Sequence, residues 1–377
     1  MQPSILDTSH VGRCKLGEAP RILLVRLSAI GDCILTLPLA TTLKRACPDA
    51  HLTWIVDCAA SQILHRHPSI DQVVRVRKGF LKRPRELFQL RKSLRAHQFD
   101  YAIDPQGLFK SGAISWLSGA PQRIGFDSCG TRECASWFYT ERRHPLGEHL
   151  VDRQLELLET FGIDVASASG GSQPRIDFGW GDVWDDSVGF EGESIVAPFV
   201  ALNPGAGWES KRWPVDRYAA LADRIFSQIG LQSLVFWGNQ REYQLAKTIT
   251  MLAPASTRLA PPTDLLDLAR WLSRATAFVG SDTGPMHLAA SLGTPTIAMF
   301  GTSLASRSGP YGTPHRSLQK RYDGGSARYR RNTTNAAMQA ICVDAAFDVV
   351  VDVLRSANAK RTDALRRSPG HTSRRAA

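Results

Sequence analysis

Two successive series of short apolar runs, each alternating with helix-spaced stretches, constrain this chain more than any other feature. In the first series residues 22–25, 52–56, 72–76 and 101–104 read as strands. A helix-like stretch runs to Ala46, with a kink or a helix start predicted near Pro38, and apolar residues recur at helical spacing over 84–97. The alternation stops over residues 166–192, rich in Ser, Gly and Asp, which reads as a linker. It then restarts, with strands predicted at 200–203, 233–237, 277–280 and 296–300. Helices are predicted at 215–229, 242–252, 265–274 and 285–292. Strands separated by helices require crossover connections and therefore parallel sheets. The expected fold is α/β: two consecutive Rossmann-like domains facing an interdomain cleft.

At 377 residues the chain exceeds one comfortable core, so two domains also suit its length. The boundaries read as a flexible extension over 1–20, an N-terminal domain over 21–170 and a linker over 171–198. A second domain follows over 199–340, then a terminal helix over 341–356. Residues 357–377 read as a disordered basic tail, since 360–377 carry six basic residues against one acid with no apolar period.

Charge and cysteines narrow the partners. The net charge of +11 favours phosphorylated substrates or acidic lipid surfaces. No basic stripe interleaved with aromatics is visible, so nucleic acid is not expected as a partner. Seven scattered cysteines show neither a CxxC pair nor a Cys/His cluster of zinc spacing, which reads as reduced thiols in a cytoplasm and no metal site. No apolar run has signal-peptide or membrane-spanning character.

Three motifs fall just beyond predicted strands, where open α/β sheets bind ligands. In Gly280-Ser281-Asp282-Thr283-Gly284-Pro285-Met286-His287, Asp282 or Thr283 can cap a helix whose first turn holds Pro285. Free N–H groups there, with Gly284 allowing close approach, suit a pyrophosphate, and His287 could reach the same phosphates; a capped structural turn is the alternative. In Asn203-Pro204-Gly205-Ala206-Gly207-Trp208-Glu209-Ser210-Lys211-Arg212, Lys211 offers a point charge for phosphate and Arg212 a fork, or an exposed basic loop. In Ser28-Ala29-Ile30-Gly31-Asp32, Asp32 is placed either as a general base or as a helix N-cap. Lys110, within Asp104-Pro105-Gln106-Gly107-Leu108-Phe109-Lys110-Ser111, and Arg132 are candidates to hold an anionic acceptor.

Taken together, these blocks and Phe236-Trp237-Gly238 resemble the family of ADP-heptose:lipopolysaccharide heptosyltransferases, glycosyltransferase family 9, over residues 21–354. The likeness is greatest to its heptosyltransferase I members. It implies a GT-B fold and an inverting glycosyltransferase that moves heptose from ADP-heptose to the Kdo of Kdo-lipid A, with no cofactor or essential metal. By position, the resemblance makes Asp32 the catalytic base. Lys211, Thr283 and Gly284 would hold the diphosphate, Asp282 heptose hydroxyls, and His287 would assist. Asn203 belongs to the phosphate loop. Ser28, Lys110 and Arg132 match acceptor-binding positions. The enzyme would sit in the cytoplasm, peripherally on the anionic inner leaflet of the inner membrane.

Two departures qualify the likeness. Where relatives carry an acid after the Trp-Gly pair, expected to contact the nucleoside, this chain has Gln240, with Glu242 two residues on. Asn203-Pro204-Gly205 is the broader family's form of the phosphate loop rather than a type I hallmark, whereas a cysteine-rich segment common in other members is missing, residues 322–335 holding no cysteine, which favours type I. The rival readings are another family 9 transferase with a different donor or acceptor, and a non-catalytic nucleotide-sugar-binding protein. A two-Rossmann epimerase, acting on a nucleotide-sugar without an acceptor, is a further one.

Overall fold

The computed structural model describes residues 16–57, 60–65, 67–168 and 198–367. The predictions for residues 1–15, for most of the linker and for 368–377 lie outside the described residues. The chain divides into two compact units. The first takes residues 1–193 with 264–270 and 306–311; the second takes 194–263, 271–305 and 312–377.

The first unit is built on six parallel strands: β1 (Arg21–Val25), β2 (His51–Asp57), β3 (Gln72–Val76), β4 (Tyr101–Asp104), β5 (Gln122–Phe126) and β6 (Glu141–Arg143). Their spatial order is β3-β2-β1-β4-β5-β6. The second unit repeats the plan with β7 (Phe199–Asn203), β8 (Gln232–Val235), β9 (Thr257–Leu259), β10 (Ala277–Ser281), β11 (Thr296–Met299) and β12 (Arg316–Leu318). Its order, β12-β11-β10-β7-β8-β9, is the same sequence of strands read from the other edge. Both are the doubly wound dinucleotide-fold order, whose direction reverses between the first and fourth strands.

Burial explains the central strands. Residues Ile22 to Val25 and Val200 to Leu202 are wholly buried, because helices cover both faces of a parallel sheet. Of the two readings at Pro38 the helix start is corrected: one helix runs Ile30–Ala46 with Pro38 inside it. Burial of residues 33–43 outweighs the hydrogen bond that proline cannot donate. Strands β5, β6, β9 and β12 were not predicted: β6, β9 and β12 are three residues long at sheet edges, where backbone pairing rather than apolar patterning defines them, and β5, Gln122-Arg123-Ile124-Gly125-Phe126, has no continuous apolar run. The terminal helix spans Val343–Arg367, past its predicted end at 356. Ala346, Phe347, Val350, Val353 and Leu354 form its buried stripe, packed into the core of the second unit with Trp213 and Tyr218.

A close approach at β5 ties sheet to site. A methyl group on Gly125 would lie 2.4–2.6 Å from the ring of Tyr139, which is buried and donates its hydroxyl to Asp104 Oδ2 at 2.7 Å. Gly125→Ala is therefore expected to displace Tyr139 and orphan the Asp104 carboxyl, costing about 2–4 kcal/mol. Thermal unfolding should show a midpoint lower by about 5–10 °C; an unchanged midpoint would refute this packing.

Candidate functional site

In the first unit the strand-order reversal falls between β1 and β4, and the loops beyond these two strands meet there. Arg26 follows β1 and is 6% exposed; its Nη1 donates to Pro105 O at 3.1 Å. The Leu27 N–H donates to Gln106 Oε1 at 2.8 Å. Asp104 organises the second loop: its Oδ1 accepts the N–H groups of Gln106 and Gly107 at 2.9 and 3.1 Å. Burial pushes the Asp104 carboxyl up from its ordinary value, opposed by Tyr139 and these amides, so this acid is a loop anchor. A third loop joins where Arg132 N–H donates to Gly107 O at 2.8 Å.

Asp32 is not the N-cap of the helix Ile30–Ala46. Ala29 holds that position, and Asp32, in the first turn, turns its Oδ2 back to the Ala29 N–H at 3.1 Å. Its Oδ1 is 3.0 Å from Arg26 Nη2. The carboxylate is thus fixed by two donors yet remains partly exposed. It opens on a cavity of about 310 Å³ lined also by Ser28, Gln106, Arg132, Arg153, Gln154 and Arg307. Lys110 does not line this cavity but reaches Ser28 Oγ at 3.5 Å.

In the second unit the reversal falls between β7 and β10, and the structure again brings the predicted residues together. Lys211 Nζ donates to Asp282 Oδ2 at 2.6 Å, and Ser303 Oγ donates to the same oxygen at 2.7 Å. His287 Nε2 lies 3.4 Å from Asp282 Oδ1. Burial would raise the Asp282 carboxyl, but His287 and the Lys211 ammonium outweigh it and hold it well below the usual carboxylate range. The helix Gly284–Ser291 starts beside them. Thr283 is its N-cap by position, yet its hydroxyl donates to Ser281 O at 3.2 Å and does not cap, leaving the first N–H groups for a ligand. Asn203 is buried at the end of β7, and its carbonyl accepts from Tyr218 Oη at 3.1 Å. Gln240 is exposed at the first turn of the helix Gln240–Leu252. Glu242 instead turns to the glycine loop: its Oε2 accepts the Gly238 N–H at 2.8 Å, and a side chain on Gly205 would strike its carboxylate.

Residues 87–336 match the sequence profile of Glycosyltransferase family 9 (heptosyltransferase). Lipopolysaccharide heptosyltransferase 1 of Pseudomonas aeruginosa is 31% identical over 302 residues, covering 78% of this chain and 81% of its own. The chain belongs to glycosyltransferase family 9. Lipopolysaccharide heptosyltransferase 1 of Escherichia coli K12 is 28% identical, covering 78% of this chain and 91% of its own. Among solved structures, E. coli heptosyltransferase WaaC with ADP superposes with a TM-score of 0.69 at 24% identity, covering 88% of this chain and 99% of WaaC. A family 9 glycosyl transferase from Veillonella parvula gives 0.72 at 21% identity, covering 92% of this chain and all of the other. The shared architecture is the GT-B fold of glycosyltransferases, and this protein is such an enzyme.

Several groups around this glycosyltransferase's sites escaped the sequence reading. Ser303 follows β11, far in sequence from the Asp282 it contacts. Arg331 stacks its guanidinium 4.9 Å from the Trp208 ring centre, adding a cation beside the Lys211 loop. Gln154 and Arg153 come from the helix Leu150–Glu156, where no local motif marks them. Asp127, Cys129 and His144 place ligand atoms within 4.8 Å of one another, and their 17-residue span hid this metal-type grouping. Among the described residues no helix is long and apolar enough to cross a membrane.

Because the folded Asp282 carboxyl is depressed, its stabilising contribution is full above the unfolded value of about 3.9 and is lost as pH falls toward the folded one. In urea titrations the stability gap between the native chain and Asp282→Asn should be constant above about pH 5 and narrow progressively below about pH 4. A gap that widens on acidification would contradict the pairing.

Proposed function

We propose that this glycosyltransferase moves heptose from ADP-heptose to a Kdo hydroxyl of Kdo-lipid A, with inversion at the anomeric carbon and Asp32 as general base. The observation that carries this reading is the Asp32 carboxylate, held by Arg26 and the Ala29 N–H at the mouth of a cavity with four arginines in its wall. A fixed carboxylate suits proton abstraction from a sugar hydroxyl, and the arginines suit an anionic acceptor. The relatives support the donor and the glycan: the curated ones carry the name lipopolysaccharide heptosyltransferase, and WaaC is solved with ADP and with ADP-2-deoxy-2-fluoro heptose.

The chemistry follows from the two sites. Asp32 takes the proton of the acceptor hydroxyl as its oxygen bonds to the anomeric carbon, and the bond from that carbon to the β-phosphate oxygen breaks. The diphosphate leaves with added negative charge, which Lys211 and the free N–H groups of Thr283, Gly284 and the helix they begin would neutralise. On this reading Lys211 exchanges Asp282 for phosphate, and Asp282 becomes free to accept heptose hydroxyls. His287 would hold Asp282 in place, Asn203 would support the phosphate loop, and Gln240 with Glu242 would face the nucleoside. Ser28, Lys110 and Arg132 would hold the acceptor. Protein cations and amides supply the charge neutralisation that other transferases take from a metal, so no essential metal or other cofactor is required.

Residues 75–95 support a peripheral position on an anionic inner leaflet. Arg75, Arg77, Lys82, Arg85, Arg91 and Lys92 are all exposed there, and Phe88 of the helix Pro84–Ala96 is 70% exposed. Exposed cations around an aromatic suit a phospholipid surface on the cytoplasmic side.

The test is heptose transfer from ADP-heptose to Kdo2-lipid A presented in anionic vesicles, followed by mass spectrometry of the lipid. We expect one added heptose, co-sedimentation of the enzyme with the vesicles at low salt, and an unchanged rate with EDTA. Absence of transfer, with ADP-heptose still bound, would reject the acceptor. A rate abolished by EDTA would reject the metal-free mechanism and direct attention to Asp127, Cys129 and His144.

A further inference from the structure

The cavity beside Asp32 contains a polar group that the proposed chemistry leaves idle. Gln154 is 2% exposed and lines the cavity, yet neither its Oε1 nor its Nε2 has a hydrogen-bond partner. Its neighbours on the helix Leu150–Glu156 are all engaged. His149 Nδ1 accepts the Val151 N–H at 3.2 Å and so caps the helix. Asp152 accepts from Tyr311 Oη at 2.6 Å, and Arg153 Nε donates to Gly147 O at 2.6 Å. The helix is therefore held in place from several sides while Gln154 is left unsatisfied. A buried carboxamide with no partner is costly, and a second apolar residue would fill the same space without that cost. Arg26 also lines the cavity and is buried, with Nη1 and Nη2 engaged by Pro105 and Asp32 but Nε without a partner.

We infer that Gln154 recognises the carboxylate-bearing sugar of the acceptor, its Nε2 donating to the carboxylate and its Oε1 accepting a sugar hydroxyl. This rests on the reading of the cavity as the acceptor site. The charge balance supports it: among the described residues Arg26, Arg132, Arg153 and Arg307 line the cavity with one acid, Asp32. A sugar acid matches that positive wall better than a neutral sugar does. Among these cations a neutral amide adds direction rather than charge. It can hold the carboxylate and a hydroxyl of one ring at once, which fixes how the ring is turned toward Asp32. The unpaired amide of the free protein is then satisfied only when that acceptor is bound, which makes Gln154 a specificity device as well as a grip.

Two variants and two acceptors test this. Gln154→Leu preserves shape and removes both hydrogen bonds; Gln154→Glu replaces the donor with a negative charge. With Kdo2-lipid A, we expect the leucine variant to lose about 10- to 100-fold in kcat/KM for acceptor. Its melting temperature should be equal to or above that of the wild type, because the unpartnered amide is gone, and its affinity for ADP-heptose should be unchanged. The glutamate variant should lose more than the leucine variant on this acceptor, through repulsion of the carboxylate. With the carboxyl-reduced acceptor that order should vanish or reverse, because the repelled charge is gone. Wild-type kinetics in both variants would overturn the assignment. So would equal losses on both acceptors, which would mark a purely structural side chain. A wild-type enzyme that fails to use Kdo2-lipid A would overturn the functional reading, and this assignment with it; an active wild type with unaffected variants overturns this assignment alone.

Discussion

In each unit the sheet is extended outward from a central strand in one direction and then, after the third strand, in the other. Everything functional depends on that reversal. The crossover helices of the two halves cover opposite faces, so the loops after the first and fourth strands diverge from their helices and leave a crevice between them. In the first unit these loops start at Arg26 and Asp104; in the second they start after Asn203 and Ser281. Residues that are 70 to 80 positions apart in sequence, such as Arg26 and Pro105 or Lys211 and Asp282, are thereby brought within hydrogen-bonding distance. The repetition of one plan yields two crevices of different chemistry from one folding rule.

The chemistry of each crevice is a carboxylate held by a cation. Arg26 holds Asp32 and Lys211 holds Asp282. Such pairs add little net stability, because desolvating two charges offsets most of their attraction. Their value is orientation. Each pair keeps its groups in place without ligand. The two pairs differ in what surrounds the acid. Asp282 is enclosed by Lys211, Ser303 and His287, as suits a group that binds and exchanges partners. Asp32 has an open side toward its cavity, as suits a base.

Much of this was legible in the sequence because the central strands are buried on both faces and the phosphate-loop residues are consecutive. Strands β3 and β4 and the helices Val215–Ile229 and Leu265–Arg274 have the predicted ends. The motifs holding Lys211 and holding Asp282, Thr283 and His287 could be found because each begins at a predicted strand end, and the family resemblance joined the two. What was not legible has physical causes. The three-residue edge strands β6, β9 and β12 carry too little apolar pattern to be read. The helix at Pro38 is kept by packing that no local rule shows. Asp32 could be read as base or N-cap, since both place a carboxylate at a helix start, and only the backbone, with Ala29 at the cap position, excludes the second. Gln154 lies on a helix whose sequence, Leu150-Val151-Asp152-Arg153-Gln154-Leu155-Glu156, carries no motif; its place in the cavity wall is a tertiary fact.

The central claim is that Asp32 is the base of a single displacement, and the most direct measurement is ADP release from ADP-heptose, with and without Kdo2-lipid A, by wild type and by Asp32→Asn. Asparagine keeps the shape and the contact with the Ala29 N–H but has no oxygen basic enough to take the proton. The account predicts acceptor-dependent release by the wild type and a loss of about 10²- to 10⁴-fold in the variant, with ADP-heptose affinity retained. Acceptor-dependent release at near wild-type rates in Asp32→Asn would contradict it and move the base to another residue.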